Sequence, residues 1–224
     1  MIISAVLQTV SPNKSNKQVL SSFRQFHPDA EISIIVDGNS DFEEYAEKFN
    51  TNIIKDNNRC DPRGGLTFDT FDKYLQRINA HCLVSKSEYV VILEDDVMTY
   101  KSISKFPNTS CAGPRINPYS ERLNCFLQNK FNTQENYGYG MSGGSIFKRE
   151  DFLKSFHNRP NFQTYSLMDY RIPYYSDVGL TLLFQIAGFS YSEWMDVSEK
   201  FHGDPNQRII RDSAIDHNDK RLYI

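Results

Sequence analysis

The sequence lacks the marks of several large protein classes. Its four cysteines, Cys60, Cys82, Cys111 and Cys125, show no CxxC spacing, so no zinc ribbon or redox pair is written in it, and free thiols in a reducing compartment are expected. The sequons at Asn13 and Asn108 then read as chance matches. Long basic runs are missing, and a net charge of -3 with a pI near 6.0 gives no electrostatic reason to expect nucleic acid as a partner. No apolar run approaches the ~18 residues of a membrane helix. The apolar start, Met1 to Leu7, has no basic region before it and is interrupted early by Asn13, Lys14 and Asn16. It reads as a first strand and not as a signal peptide. A soluble, cytoplasmic chain with no transmembrane segment is the expectation. Internal repeats and low-complexity linkers are also missing, and 224 residues are enough for one domain with a sizeable core.

What is present centres on Glu88-Tyr89-Val90-Val91-Ile92-Leu93-Glu94-Asp95-Asp96-Val97. Tyr89 to Leu93 reads as a strand buried on both faces, running straight into three carboxylates. In open α/β sheets the carboxyl ends of strands line the ligand crevice. Three acids there raise one another's pKa unless a cation compensates, and hard oxygen ligands suit Mg2+ or Mn2+. The alternative is a strand that simply ends in a solvated acidic loop.

Around this stretch, strands alternate with helices. Strands are expected at Ile2 to Val10, Glu31 to Val36 and Thr51 to Lys55, with helices at Lys17 to Phe26 and Phe42 to Phe49, the second capped from the turn Asp37 to Asp41. An amphipathic helix carrying Leu66, Phe71, Tyr74, Leu75 and Ile78 precedes the acidic strand. Such spacing predicts βαβ units, an α/β class and a mainly parallel sheet. The loop Asp56 to Gly65 offers Gly64-Gly65 backbone N–H groups with Arg59 or Arg63 to a phosphate, or is a plain surface loop.

Downstream, Cys111 to Ile116 is a candidate strand and Arg122 to Phe131 a short helix. The stretch Tyr137 to Lys148 is dense in glycine, so its backbone can approach a ligand closely; a strand, Ser145 to Phe147, and a helix, Arg149 to Phe156, follow. Ser176 or Asp177 is expected to cap an apolar helix whose C-cap is Gly188. Capping alone would account for an acid at Asp177. After Trp194 the pattern fades into a tail with His202 and a charged run from Arg208 to Arg221, expected to drape over the domain or move freely.

Together these residues resemble a nucleotide-sugar-dependent glycosyltransferase of the GT-A fold. The resemblance rests on Glu94-Asp95-Asp96 after a strand, on Gly143-Gly144-Ser145-Ile146-Phe147-Lys148, and on an acid that opens a helix eleven residues before Gly188, here Asp177. A late histidine, His202, completes the set, in the family's order over roughly residues 1 to 204. Two departures stand out: Ser176 where an acid is usual, and a short tail. The chain is also similar to the small single-domain glycosyltransferases of large algal viruses that decorate capsid glycans, which would place it in a host cytoplasm.

The resemblance implies a single domain, 1–224, with a Rossmann-like central sheet flanked by helices. Residues 1–100 would bind the nucleotide sugar and 101–195 would form a smaller acceptor-side, catalytic half, with 196–224 as the tail. It implies Mn2+ or Mg2+, a UDP-sugar donor and a glycan or glycoconjugate acceptor. Asp96 and His202 would hold the metal, with Glu94 and Asp95 reaching water on the metal, the ribose or the donor sugar. Gln8, Thr9, Val10 and Asp37 would hold base and ribose, Gly143 and Gly144 would lie against the donor, and Arg63, Lys200 or Arg208 would neutralise the diphosphate. Asp177 would be the base of an inverting transfer, or would orient substrate in a retaining one. Rival readings are a sugar nucleotidyltransferase, a haloacid dehalogenase-type phosphatase and a non-catalytic sugar-binding module. The segment Gln8 to Lys14 lacks the first rival's glycine-rich basic signature, and Glu94-Asp95-Asp96 does not supply the second's nucleophile.

Overall fold

The computed structural model describes residues 2–9, 11–38, 40–56, 68–95, 97–113, 116–118, 121–131, 138–140, 143–159, 175–194, 197–199 and 215–217. In chain order the elements are β1 Ile3–Thr9, α1 Lys14–Phe26, β2 Glu31–Asp37, α2 Glu43–Phe49, β3 Asn52–Asp56 and α3 Phe68–Val84. Then come β4 Tyr89–Leu93, β5 Met98–Thr99, β6 Cys111–Gly113, β7 Ile116–Pro118, α4 Glu121–Phe131 and β8 Gly138–Gly140. The last are β9 Ile146–Lys148, α5 Arg149–His157, α6 Tyr175–Ile186, β10 Tyr191–Glu193, β11 Val197–Glu199 and β12 Ile215–His217.

Among the described residues seven strands form the main sheet, in the order β10-β6-β9-β4-β1-β2-β3. Within it β9 alone runs against its neighbours, β4 and β6, so the expected mainly parallel α/β sheet is present. Strand order reverses at β1, which pairs in parallel with β2 on one side and β4 on the other. That reversal opens a crevice at the carboxyl ends of β1 and β4.

Period-2 alternation sends residues of each strand into two separate cores. Val6, Val90, Ile92 and Phe147 pack with Tyr74 and Ile78 of α3, Phe152 of α5 and Leu183 and Phe184 of α6. Leu7, Val91 and Leu93 go to the other side, with Val19, Leu20 and Phe23 of α1. Phe184 lies 5.9 Å from the Phe147 ring and 6.2 Å from that of Phe152, which locks α6 to the sheet and to α5. Full burial of one such ring stabilises the fold by about 2–3 kcal/mol.

Helix α1 starts three residues earlier than the apolar stripe suggests, because Asn13 Oδ1 accepts a hydrogen bond from Asn16 N at 2.8 Å. The N-cap of α2 is Phe42, which makes no side-chain cap bond; Asp41, one residue earlier in the turn, accepts from Glu43 N at 2.9 Å. The single strand expected at Cys111 to Ile116 is instead two: β6 joins the main sheet, while β7 pairs with β8. The sequence supplies the reason, since Gly113 is followed by Pro114, whose missing N–H cannot extend a ladder. Ser176 and Asp177 lie within α6 and not at its cap. Parts of the tail are ordered strands. β11 pairs in parallel with β12, and β12 pairs antiparallel with β5.

At the amino end of the sheet a polar cluster joins α3 to β1 and β2. His81 is 1 % exposed, and each ring nitrogen lies 2.8 Å from a serine hydroxyl, Ser4 on one side and Ser33 on the other. Burial pulls its pKa down to about 4; Glu31 raises it and Arg149 lowers it by smaller amounts. The unfolded chain takes up this proton near pH 6.5 and the folded chain only near 4, so between those values stability falls as pH falls. The expected slope is about 1.4 kcal/mol per pH unit, reaching ~3 kcal/mol in all. Burial also depresses the His27 pKa, whose Nε2 accepts from Ile103 N, adding loss of the same sign. Urea unfolding from pH 7.5 to 4 checks this, with His81→Gln expected to flatten the slope.

Candidate active site

β4 is apolar along its length because it is covered by strands on both edges and by helices on both faces. Immediately past Leu93 the chain turns: Val97 N donates to Glu94 O at 3.2 Å. Glu94 is half-buried and Asp95 exposed at this turn. The acids are therefore held at the carboxyl edge by a rigid strand. Asp96 lies outside the described residues.

Because β9 runs against β4, it begins where β4 ends. Gly144 N donates to Ile92 O at 2.8 Å, and Ile92 N donates to Ser145 O at 2.8 Å. Gly144 has φ +81°, a conformation that disfavours any side chain. Gly143 and Gly144 are thus buried at the same sheet edge as Glu94 and Asp95.

On the other side of β4, Leu7 and Leu93 are register partners, so Gln8 and Thr9 end β1 beside the acidic turn. Alternation turns Thr9 toward α1, where its hydroxyl bonds with the Asn16 amide and donates to Ser11 O. The Thr9 hydroxyl is engaged within the protein. Gln8 points to the opposite face, toward α3 and α6. Its Oε1 is buried and has no hydrogen-bond partner among the described residues. Asp37 ends β2, in register with Asp56 at the end of β3.

Asp177 lies in the first turn of α6. The last turn of that helix closes on Gly188, φ +75°, with Gly188 N donating to Gln185 O and Phe189 N to Phe184 O. From there the chain enters β10, which is parallel to β6. The helix therefore runs antiparallel to the parallel strands, with its first turn toward the carboxyl edge, and α6 also packs against β8. The topology brings Asp177 to the same end of the sheet as Glu94, Asp95, Gly143 and Gly144.

The tail arrives there too. Ile215 pairs with Thr99 and Asp216 with Met98, while Glu199 pairs with His217, so β11 and β12 both run toward the acidic turn. Short strands drawn from distant segments carry no periodic signal, so this small sheet leaves no mark in the sequence. Val10, Arg59, Arg63, Lys200, His202 and Arg208 lie outside the described residues. Among the described residues no three histidine, cysteine or carboxylate side chains form a metal cluster.

No family model matches this chain, and no curated protein matches it. Among solved structures, the galactosyltransferase LgtC, in complex with donor and acceptor sugar analogues, aligns over 95 % of this chain and 86 % of its own, with 13 % identity and a TM-score of 0.51. The chain has a GT-A-like fold. Two other structures align less well: Staphylococcus aureus TarS 1–349, with a TM-score of 0.41 and 14 % identity over 80 % of this chain, and bifunctional IspDF from Campylobacter jejuni, with 0.44 and 12 % over 94 %. The chain spans 56 % and 52 % of those two and 33 % of a longer TarS structure. The GT-A-like fold accounts for the order of strands at the crevice. No helix among the described residues is long and apolar enough to cross a membrane.

Proposed function

We propose that this protein is a metal-dependent glycosyltransferase that moves a sugar from a nucleotide sugar, a UDP-sugar in the first instance, to a hydroxyl of a glycan or glycoconjugate, inverting the anomeric centre. The observation that carries the reading is the meeting of Glu94-Asp95, Gly143-Gly144 and the first turn of α6 at the switch point of a GT-A-like sheet. A cytoplasmic enzyme fits a chain with free thiols at Cys82, Cys111 and Cys125.

The donor set suits the cation. Glu94 and Asp95 present hard carboxylate oxygens, and with so few protein ligands at hand Mn2+ or Mg2+ would be shared with donor phosphates. Asp96 and His202 are proposed to hold it; β11 ends near the acidic turn three residues before His202. Bound there, such a cation supplies Lewis-acid stabilisation of the charge that develops on the leaving phosphate. Gln8, Thr9, Val10 and Asp37 hold base and ribose, Glu94 and Asp95 reach ribose or donor sugar, and Arg63 pairs with the diphosphate. Asp177 takes the proton of the acceptor hydroxyl on the face opposite the leaving group.

A thermal-shift screen of nucleoside diphosphates, with and without Mn2+, tests this. At about 100 times Kd the right one should add ~2.7 kcal/mol, raising Tm by about 5–10 °C only when Mn2+ is present. Slow hydrolysis of the matching nucleotide sugar without acceptor should accompany it. UDP, CDP, GDP and ADP all failing to give a metal-dependent shift would sink the proposal.

A further inference from the structure

We infer that the groove along the outer flank of α1 holds the acceptor, and that the acceptor is a negatively charged oligosaccharide; this names a substrate class for the transfer proposed above and rests on that reading. The groove has a volume of about 460 Å3, within the range of about 300–1,000 Å3 usual for ligand sites. Its wall is one face of the helix, since Lys14, Lys17, Gln18, Ser21 and Gln25 recur at spacings of three and four. Ser22 and Met98 line it where the helix meets β5, and Thr99 N donates to Ser22 Oγ there at 3.1 Å. α1 follows the carboxyl end of β1, and Met98 follows the acidic turn, so the Lys14 end of the groove lies at the sheet edge that carries Glu94 and Asp95. From there it runs along the helix for about 16 Å toward Gln25.

The lining is one-sided in charge. The chain as a whole carries -3, yet no described carboxylate lines the groove, and no ion pair among the described residues includes Lys14 or Lys17. Lys48 of α2 stands within hydrogen-bonding reach of Lys17. That contact and the like charge of Lys17 hold the Lys48 pKa below the ordinary lysine value, outweighing the opposite influence of Glu44. An anion seated beside Lys17 relieves this repulsion. The rest of the lining selects among anions. Glutamine amides and serine hydroxyls both donate and accept, which suits the hydroxyl groups of a sugar. No described aromatic ring lines the groove. Single-stranded nucleic acid needs such rings to stack its bases, and a lipid surface needs large apolar side chains to insert, where the described lining offers Met98 alone. A neutral glycan would leave the lysines unanswered.

Calorimetric titration with a galacturonate hexamer, a sulfated heparin hexamer and neutral maltohexaose, each in about 50 mM and about 150 mM salt, tests this. At least one acidic hexamer should bind about 10-fold or more tighter than maltohexaose and weaken as salt rises. Lys14→Glu combined with Lys17→Glu should lower that affinity by about 10-fold or more, while Mn2+-dependent affinity for the nucleoside diphosphate stays within about threefold at the higher salt. Both side chains are exposed, and acids in a first helical turn are favourable, so this pair should melt no lower than the wild type. Lys86→Glu combined with Lys154→Glu makes the same change in net charge at exposed positions outside the groove and should leave hexamer affinity within about twofold. Slow donor hydrolysis by the wild type should change when the hexamer is present, through exclusion of water or transfer to the hexamer, and hydrolysis by the Lys14 and Lys17 pair should not. If neither acidic hexamer binds, if maltohexaose matches them, if oligothymidylate binds more tightly, or if the Lys86 and Lys154 pair loses as much, the assignment is overturned and the transferase reading stands. An unchanged hydrolysis rate overturns the acceptor role in the same way. A protein that binds an acidic hexamer but none of UDP, CDP, GDP and ADP overturns both.

Discussion

Asp177→Asn is expected to slow sugar transfer by about 10²–10⁴-fold while nucleoside diphosphate and Mn2+ still bind, the range over which a positioned general base contributes. Asparagine keeps the size of the side chain and the first turn of α6, but it cannot accept a proton. The acid limb of the rate profile, which reports the base's pKa, should vanish in the variant. Initial rates with a donor and a glycan acceptor, set beside calorimetric affinity for the nucleotide, measure both halves. A variant with near-normal rates would remove Asp177 from the chemistry, and inverted product stereochemistry in the wild type would support the base role over mere orientation.

The other large effect belongs to the acidic turn. Asp96→Ala is expected to lower Mn2+-dependent affinity for the nucleoside diphosphate by more than about 100-fold, since even outer partners of a metal ligand are worth 10- to 100-fold. The fold should survive, because the turn's own hydrogen bond joins Val97 N to Glu94 O and β4 is anchored by neighbours on both edges. Titration with and without Mn2+ gives the contrast directly. Equal affinities for wild type and variant in Mn2+ would show that the cation is held elsewhere.

Much of the sheet was legible because its signals are local. Apolar runs of strand length separated by amphipathic helices announce β1 to β4, and Gly188 announces the end of α6 by the same residue that ends it in space. The placement of Glu94 and Asp95 followed from reading Tyr89 to Leu93 as a strand that stops. What could not be read depends on partners far along the chain. Nothing in Met98-Thr99 or Ile215-Asp216-His217 declares that they pair, and two-residue strands have no period to detect. Within the site, Gln8 and Thr9 look equivalent as polar residues at a strand end. Only the pleat separates them, sending one to Asn16 and leaving the other's amide oxygen without a partner among the described residues.

The pairing of β12 with β5 also sets an order of events. Thr99 lies just past the acidic turn, while its partner Ile215 is made more than half a chain later. Closing so long a loop is slow in comparison with local helix formation. The parallel strands β1 to β4 can be synthesised and assembled while the nascent chain is still growing. The wall beside the carboxylates closes last, so competence for catalysis would trail compaction, and a ribosome-bound intermediate would hold a finished sheet next to an unfinished crevice.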